Sequence, residues 1–154
     1  MTDLPMIKPE AVITSTTAGI DFGSWTPALA SVGTIEIVVR NAFYVKVQQL
    51  VVCTFDIIVT NLSGGRNNSE IIMTGLPNTS ISASAPMASS GSLSVSYFKT
   101  TNRDLRQITG TVNSSDTRVN LWCQKSGEHG LVPLTHIDIN LNTVLTGTVT
   151  YIAS

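Results

Sequence analysis

The chain has 154 residues, a length typical of one domain with a single core. Charged residues make up only 12% of it, against a usual share of about 25%, and the net charge at pH 7 is −1. The basic residues are scattered singly, so the sequence lacks both the basic stripe that binds nucleic acid and a polybasic patch for a membrane surface. We therefore expect neither nucleic acid nor a membrane as a partner.

Residues 1–5 contain neither a basic nor an apolar signal region, which predicts synthesis in a cytoplasm without secretion. Residues 50–59 form the longest apolar stretch, which is too short to cross a bilayer and is interrupted by Thr54 and Asp56. Cys53 and Cys123 each fall in the middle of an apolar alternating segment. We interpret them as two buried free thiols rather than as a disulfide.

Residues 1–22 are predicted to be an extended N-terminal arm. Pro5 and Pro9 lack the N–H that a central strand requires, and residues 14–17 are all Ser or Thr. The arm nevertheless carries too many large apolar side chains for an inert linker, namely Leu4, Met6, Ile7, Val12 and Ile13. We expect these five residues to dock on another chain.

Residues 23–154 are predicted to be one β-domain. Apolar and polar residues alternate with period two in six segments, which indicates antiparallel strands with one buried face. The predicted inward-facing residues include Leu93, Val95 and Tyr97, then Val119, Leu121 and Cys123, then Ile137, Ile139 and Leu141, and finally Leu145, Val149 and Tyr151. Turn-forming clusters separate the segments. The predicted fold is an all-β antiparallel β-sandwich or jelly-roll-like domain.

The junction between arm and domain contains Trp25 and Pro27, which we interpret as a structural hinge. An indole at this place can close one end of a sandwich, and the proline biases Thr26 to an extended conformation. Further along, Gly75 and Pro77 bracket Leu76 in a tight corner, with Leu76 predicted to point inward.

Four segments in order resemble a known family: residues 23–29 around Trp25, the Tyr44–Lys46 strand, the corner at residues 74–77, and the closing residues 147–151. They are similar to the C-terminal head domain of bacteriophage tail fibres and minor structural proteins, and the resemblance covers residues 23–153. One departure is the pair Gln48 and Gln49, where that family commonly has a Gly-Asn turn. The resemblance implies a trimeric virion surface protein and no particular ligand.

Catalytic and metal-binding patterns are weak. His136 and Asp138 are two residues apart and could share one side of a strand, as a metal ligand pair or as part of a triad, but an exposed polar face is the favoured interpretation. No His or Cys spacing supports zinc, so we predict no metal, no cofactor and no catalytic residue. Asp56 is the only acid in a strongly apolar strand and would need Arg40 or Lys46 as a partner if its face is buried.

The favoured hypothesis is a homotrimeric capsid decoration or cement protein, which sits on the outer capsid surface and clamps the major capsid protein. Under this hypothesis the arm residues Leu4, Met6, Ile7, Val12 and Ile13 contact the capsid or a neighbouring subunit. Only about 22 residues precede the head domain, whereas a tail fibre needs a long shaft. The alternative is a tail-fibre or tail-tip head that recognises host glycan through Phe98 and Trp122, whose predicted parity is outward. The favoured interpretation of these two aromatics is the trimer interface, because a neutral all-β domain must cover such residues. An enzyme such as a glycan hydrolase is disfavoured, because no pair of carboxylates has a suitable spacing.

Overall fold

The structure is a computed structural model that describes residues 19–64, 68–82 and 90–154. Within these residues the chain forms strands and no helix. The ten strands are β1 (Ile20–Ser24), β2 (Ala28–Ala30), β3 (Thr34–Val47), β4 (Leu50–Ser63), β5 (Ile72–Thr74), β6 (Gly91–Lys99), β7 (Leu105–Val112), β8 (Val119–Lys125), β9 (Val132–Pro133) and β10 (Val144–Ile152). No helix in the described part of the chain could span a membrane.

All strand pairs are antiparallel, which confirms the predicted all-β antiparallel class. Hydrogen bonds join the strands into one sheet in the order β1-β3-β4-β10-β6-β7-β8-β5-β2, with β9 beside β8. The first and last strands of this order, β1 and β2, are joined by residues 25–27 alone, so the sheet curls into a half-barrel. The finer classification as a sandwich or jelly roll stays a prediction.

The predicted division at residue 22 falls inside β1. Residues 20–22 pair with β3 as part of the sheet, and residues 1–18 lie outside the described residues. The last residues of the predicted arm are therefore part of the sheet, and for residues 1–18 the extended arm stays a prediction.

The core lies on the concave face of the curled sheet. Alternate residues of β4 point into it, and Val149 and Tyr151 of β10 meet them from the neighbouring strand. The β4 residues in the core are Val51, Cys53, Phe55, Ile57 and Val59. The predicted inward parity of residues 119–123 and 145–151 is confirmed, because Leu121, Cys123 and Leu145 are also buried. Both cysteines are free and buried, as predicted.

The predicted parity of the end of β6 is wrong. Tyr97 is 54% exposed, whereas Phe98 is partly buried against the core. The cause is a register shift: Val95 lies opposite Gly147, and Tyr97 lies opposite Thr146, so Ser96 is an extra residue in the ladder. Such a bulge reverses which side chains of the following residues face inward.

Residues 136–141 do not form the predicted strand. They make turns, with Asp138 N donating to the Thr135 carbonyl and Thr143 N donating to the Asn140 carbonyl. Ile139 is buried as expected, but Ile137 and Leu141 are exposed and are not part of the core. The apolar alternation here does not reflect strand geometry.

The corner at Gly75 lies against the junction at Thr26. The backbone at Gly75 has a φ of +94°, and a Cβ added there would lie 2.1 Å from the Thr26 carbonyl oxygen. Leu76 is buried, as predicted. Two hydrogen bonds then join the corner to β10: the Tyr151 hydroxyl donates to the Asn78 carbonyl at 2.9 Å and accepts from Asn78 N at 3.1 Å. The corner at residues 74–77 and the segment around Trp25, which both carry the resemblance, are thus in direct contact.

Candidate interaction surface

The most prominent surface feature is an apolar patch on the convex side of the sheet. On β1, β3 and β4 many of the residues that point away from the core are themselves apolar, which is unusual for the solvent side of an antiparallel sheet. The register places Phe22 beside Val45 and Val45 beside Val52. We call this patch the apolar outer face and define it as Ile20, Phe22, Phe43, Val45, Val47, Leu50, Val52 and Ile152.

Six of these eight side chains are substantially exposed. Phe43 is 56% exposed and Phe22 54%, and the other four lie between 36% and 46%. With about 150–250 Å² for a large aromatic side chain, the exposed apolar area is on the order of 500 Å², near the upper end for a monomeric protein. An apolar area of this size and continuity is typical of an interaction surface.

The apolar outer face contains no charged residue. The nearest ion pair on the same side of the sheet is at its border, where Arg40 Nη2 lies 2.6 Å from Asp56 Oδ1. The Thr146 hydroxyl also donates to this carboxylate at 3.0 Å. The Arg40 hydrogen bond holds the pKa of Asp56 below its usual range. Arg40 is therefore the partner of Asp56, one of the two that the sequence offered.

A cavity of about 380 Å³ opens on this surface where β1 meets β3, lined by Phe22, Gly23, Ser24, Phe43, Tyr44 and Val45. On the opposite side of the same two strands, the Tyr44 hydroxyl donates to Asp21 Oδ2 at 3.0 Å, and this bond raises the pKa of Tyr44. The bond ties β1 to β3 across the sheet. It thereby supports the strand that presents Phe22.

The junction residues lie directly behind this patch. Trp25 is buried and meets Phe55 edge-on, with ring centroids 6.3 Å apart at an interplanar angle of 87°. Its indole Nε1 donates to the Thr54 carbonyl at 2.9 Å, and its backbone N donates to the Ala42 carbonyl at 3.3 Å. Pro27 is also buried. The role of Trp25 and Pro27 as a hinge for the arm stays a prediction.

The two aromatics proposed as ligand-facing or interface residues are not equivalent. Phe98 turns toward the core, so its predicted outward orientation is wrong, and the bulge at Ser96 is the reason. Trp122 does lie on the convex side, half-buried, opposite Thr109 and Pro133. Its Nε1 donates to the Thr111 hydroxyl at 3.1 Å.

The His136–Asp138 pair is buried rather than exposed, which corrects the predicted polar face. Asp138 Oδ1 lies 2.8 Å from Lys125 Nζ, and its Oδ2 accepts from the backbone N and the hydroxyl of Thr135. The Asp138 hydrogen bond raises the pKa of Lys125. His136 Nε2 instead lies 3.4 Å from the Thr34 carbonyl oxygen. Within the described residues no cluster of His, Cys, Asp and Glu could hold a metal ion.

Sequence reasoning missed the apolar outer face. A signal was available, because Phe43, Val45 and Val47 alternate with Tyr44 and Lys46 and therefore give β3 apolar residues on the side away from the core. The five apolar arm residues predicted to contact a neighbour, Leu4, Met6, Ile7, Val12 and Ile13, lie outside the described residues.

Comparison of the chain with protein-family models, with curated proteins and with solved structures finds no match.

Proposed function

We propose that this chain is a structural protein of a bacteriophage virion, a homotrimeric decoration or cement protein on the outer capsid surface. In this proposal it is made in the host cytoplasm and binds the major capsid protein, and its sandwich or jelly-roll-like head stabilises neighbouring capsid subunits. The order of the four motifs, of which two are in contact at Gly75 and Thr26, supports the proposed relationship to phage head domains.

The observation that carries the proposal is the apolar outer face. An uncharged apolar surface of this extent resembles the core of a subunit interface, from which charged residues are depleted. With on the order of 500 Å² per copy, two contacting copies together bury about 1,000 Å², the lower limit for a specific interface. A trimer, in which each copy has two neighbours, gives this surface a partner within the assembly.

The first experiment measures the mass of the purified chain by sedimentation. We expect three times the monomer mass for the unaltered chain. The double change Phe22→Asp and Phe43→Asp places two charges in the apolar outer face and should produce monomers with an unchanged far-UV circular dichroism spectrum. Val38→Asp is the matched control, because Val38 is on the same side of β3 and is 50% exposed but lies outside the patch.

The second experiment tests the location of the protein. The purified trimer should co-sediment with expanded capsids of the phage that encodes it, and it should show no saturable binding to host cells. A monomeric mass at all concentrations, or binding to cells without binding to capsids, would refute the decoration proposal.

The alternative is a tail-fibre or tail-tip head that recognises host glycan, and Trp122 is the observation in its favour. An indole on the convex side with Thr109 and Thr111 beside it offers a stacking surface and hydroxyl partners for a sugar. Under this alternative, Trp122→Ala abolishes saturable binding to host cells. Under the decoration proposal, the same change leaves capsid binding intact.

A further inference from the structure

The described chain begins at one corner of the apolar outer face. Gly19, with a φ of +68°, accepts a hydrogen bond from Gln48 N at 2.9 Å, and the following residue, Ile20, pairs with Val47. The preceding 18 residues are thus attached at the edge of the patch, beside the hairpin that joins β3 to β4. If these residues contact an apolar outer face, they must reach it from the position of Gly19.

The arm sequence has a polar spacer between this attachment point and its first large apolar residue. Residues 14–18 are Thr, Ser, Thr, Thr and Ala, and Ile13 is six residues before Gly19. An extended chain covers about 20 Å over six residues at about 3.3 Å per residue. The four strands of the apolar outer face are only about 14 Å wide, at about 4.8 Å between strands. An extended spacer is therefore long enough for Ile13 to reach beyond the patch of its own copy.

We propose that residues 1–18 of one copy bind to the apolar outer face of a neighbouring copy. The inference rests on the proposed trimer and names the partner of its arm. It accounts for both sides of the contact: the five large apolar residues in the arm sequence, and an uncharged apolar surface centred on Phe22, Phe43 and Val45. Exchange of such a segment between identical subunits is a common route to a closed oligomer.

Disulfide cross-linking in the full chain tests this contact. Copies that carry Ile13→Cys are refolded together with copies that carry Val45→Cys, and the mixture is oxidised. Val45 is 46% exposed and tolerates the change, and the native Cys53 and Cys123 are buried and do not compete. We expect a two-chain product, formed at least tenfold more than with the matched control Val38→Cys, which lies on the same strand outside the patch.

The outcomes separate this inference from the proposed function. Equal cross-linking at residues 45 and 38 in a mixture of trimeric mass overturns the arm contact and leaves the decoration proposal standing. Cross-linking confined to single chains that carry both cysteines at high dilution, with none in the mixture, overturns the exchange between copies. A monomeric mass at every concentration overturns the proposed trimer and the inference with it.

Discussion

Replacing Gly75 with alanine tests whether the corner and the junction are as closely fitted as the structure shows. The φ of +94° at Gly75 is one that L-residues rarely adopt, and the new Cβ would lie 2.1 Å from the Thr26 carbonyl oxygen and 3.1 Å from the Thr26 carbonyl carbon. Because these are backbone atoms, no side-chain rotation relieves the overlap. The chain must shift at Gly75 or at Thr26, which lies between the buried Trp25 and Pro27.

The expected cost follows from two separable contributions. A positive φ costs a residue with a Cβ about 1–2 kcal/mol. Overpacking against atoms that cannot rotate away costs about 1–3 kcal/mol more. The smaller entropy of the unfolded alanine chain returns about 0.4–1 kcal/mol. We therefore expect Gly75→Ala to lower the free energy of unfolding by about 3 kcal/mol.

Gly127 provides the matched control. Its φ of +82° is similar, but a Cβ added there meets nothing within 4 Å, so Gly127→Ala reports the backbone strain without the overlap. Urea unfolding followed by tryptophan fluorescence gives both values on the same chain. We expect a loss of about 1 kcal/mol for Gly127→Ala. Equal losses for the two variants would show that the overlap with Thr26 is absent and that the corner does not fit against the junction.

Three further predictions use single sites. Gln48 has a φ of +55°, so Gln48→Gly should raise the free energy of unfolding by about 0.5–1 kcal/mol, and a decrease in urea unfolding would contradict this. The pKa of Asp56 is lowered chiefly by Arg40, so the ion pair stabilises the fold above the ordinary carboxyl pKa and is lost as the pH falls through the lowered value. Asp56→Asn should therefore cost about 0.5–1 kcal/mol at pH 7 and progressively less as the pH falls below the ordinary carboxyl pKa, and a cost independent of pH would refute this assignment. Burial raises the pKa of Cys53 to about 12 and that of Cys123 to about 11, so Ellman's reagent at pH 8 should react with neither thiol until the chain unfolds, and rapid reaction with the native protein would contradict their burial.

The strand class and most of the core could be predicted, because alternation over β4, β8 and β10 reports the buried face directly. The prediction failed at β6, where Tyr97 is exposed instead of buried and Phe98 is partly buried instead of exposed. The extra residue, Ser96, is recognised only from its partners on β10, since the bulge lies between Thr146 and Gly147 in the register. Nothing local to residues 91–99 encodes that pairing, and one unpaired residue is enough to reverse the following side chains.

The error at His136 and Asp138 has a different origin. Alternation over six residues arises easily in a loop, and here Ile139 is buried by a turn rather than by a strand. The burial of Asp138 depends on Lys125, which is 13 residues away in sequence and at the end of β8. Sequence spacing cannot reveal a contact of this kind.

The extent of the apolar outer face could not be predicted from the alternation in β3 alone, because it depends on which strands are neighbours. The sequence-based prediction places Phe22 in the arm and does not distinguish Phe43 from the other aromatic residues. They form one surface only because β1 folds back onto β3 and places Phe22 beside Val45. The convex side of β10 and β6 carries hydroxyl residues instead, such as Thr148 and Ser94. Apart from Ile152 at the end of β10, the patch therefore does not extend onto these two strands.

The junction at Trp25 connects these findings, because it determines the position of β1. The chain passes from β1 at one end of the sheet order to β2 at the other end through residues 25–27. Trp25 donates hydrogen bonds to the carbonyls of Ala42 in β3 and Thr54 in β4. Ala42 immediately precedes Phe43, and Thr54 lies opposite Phe43 in the register. Since β1 ends at Ser24, these two bonds fix the strand that carries Phe22 against the strand that carries Phe43. Trp25, at the connection between the two ends of the sheet order, thus also holds the strands of the apolar outer face together. A surface whose strands are already fixed is suited to contact a partner without rearrangement.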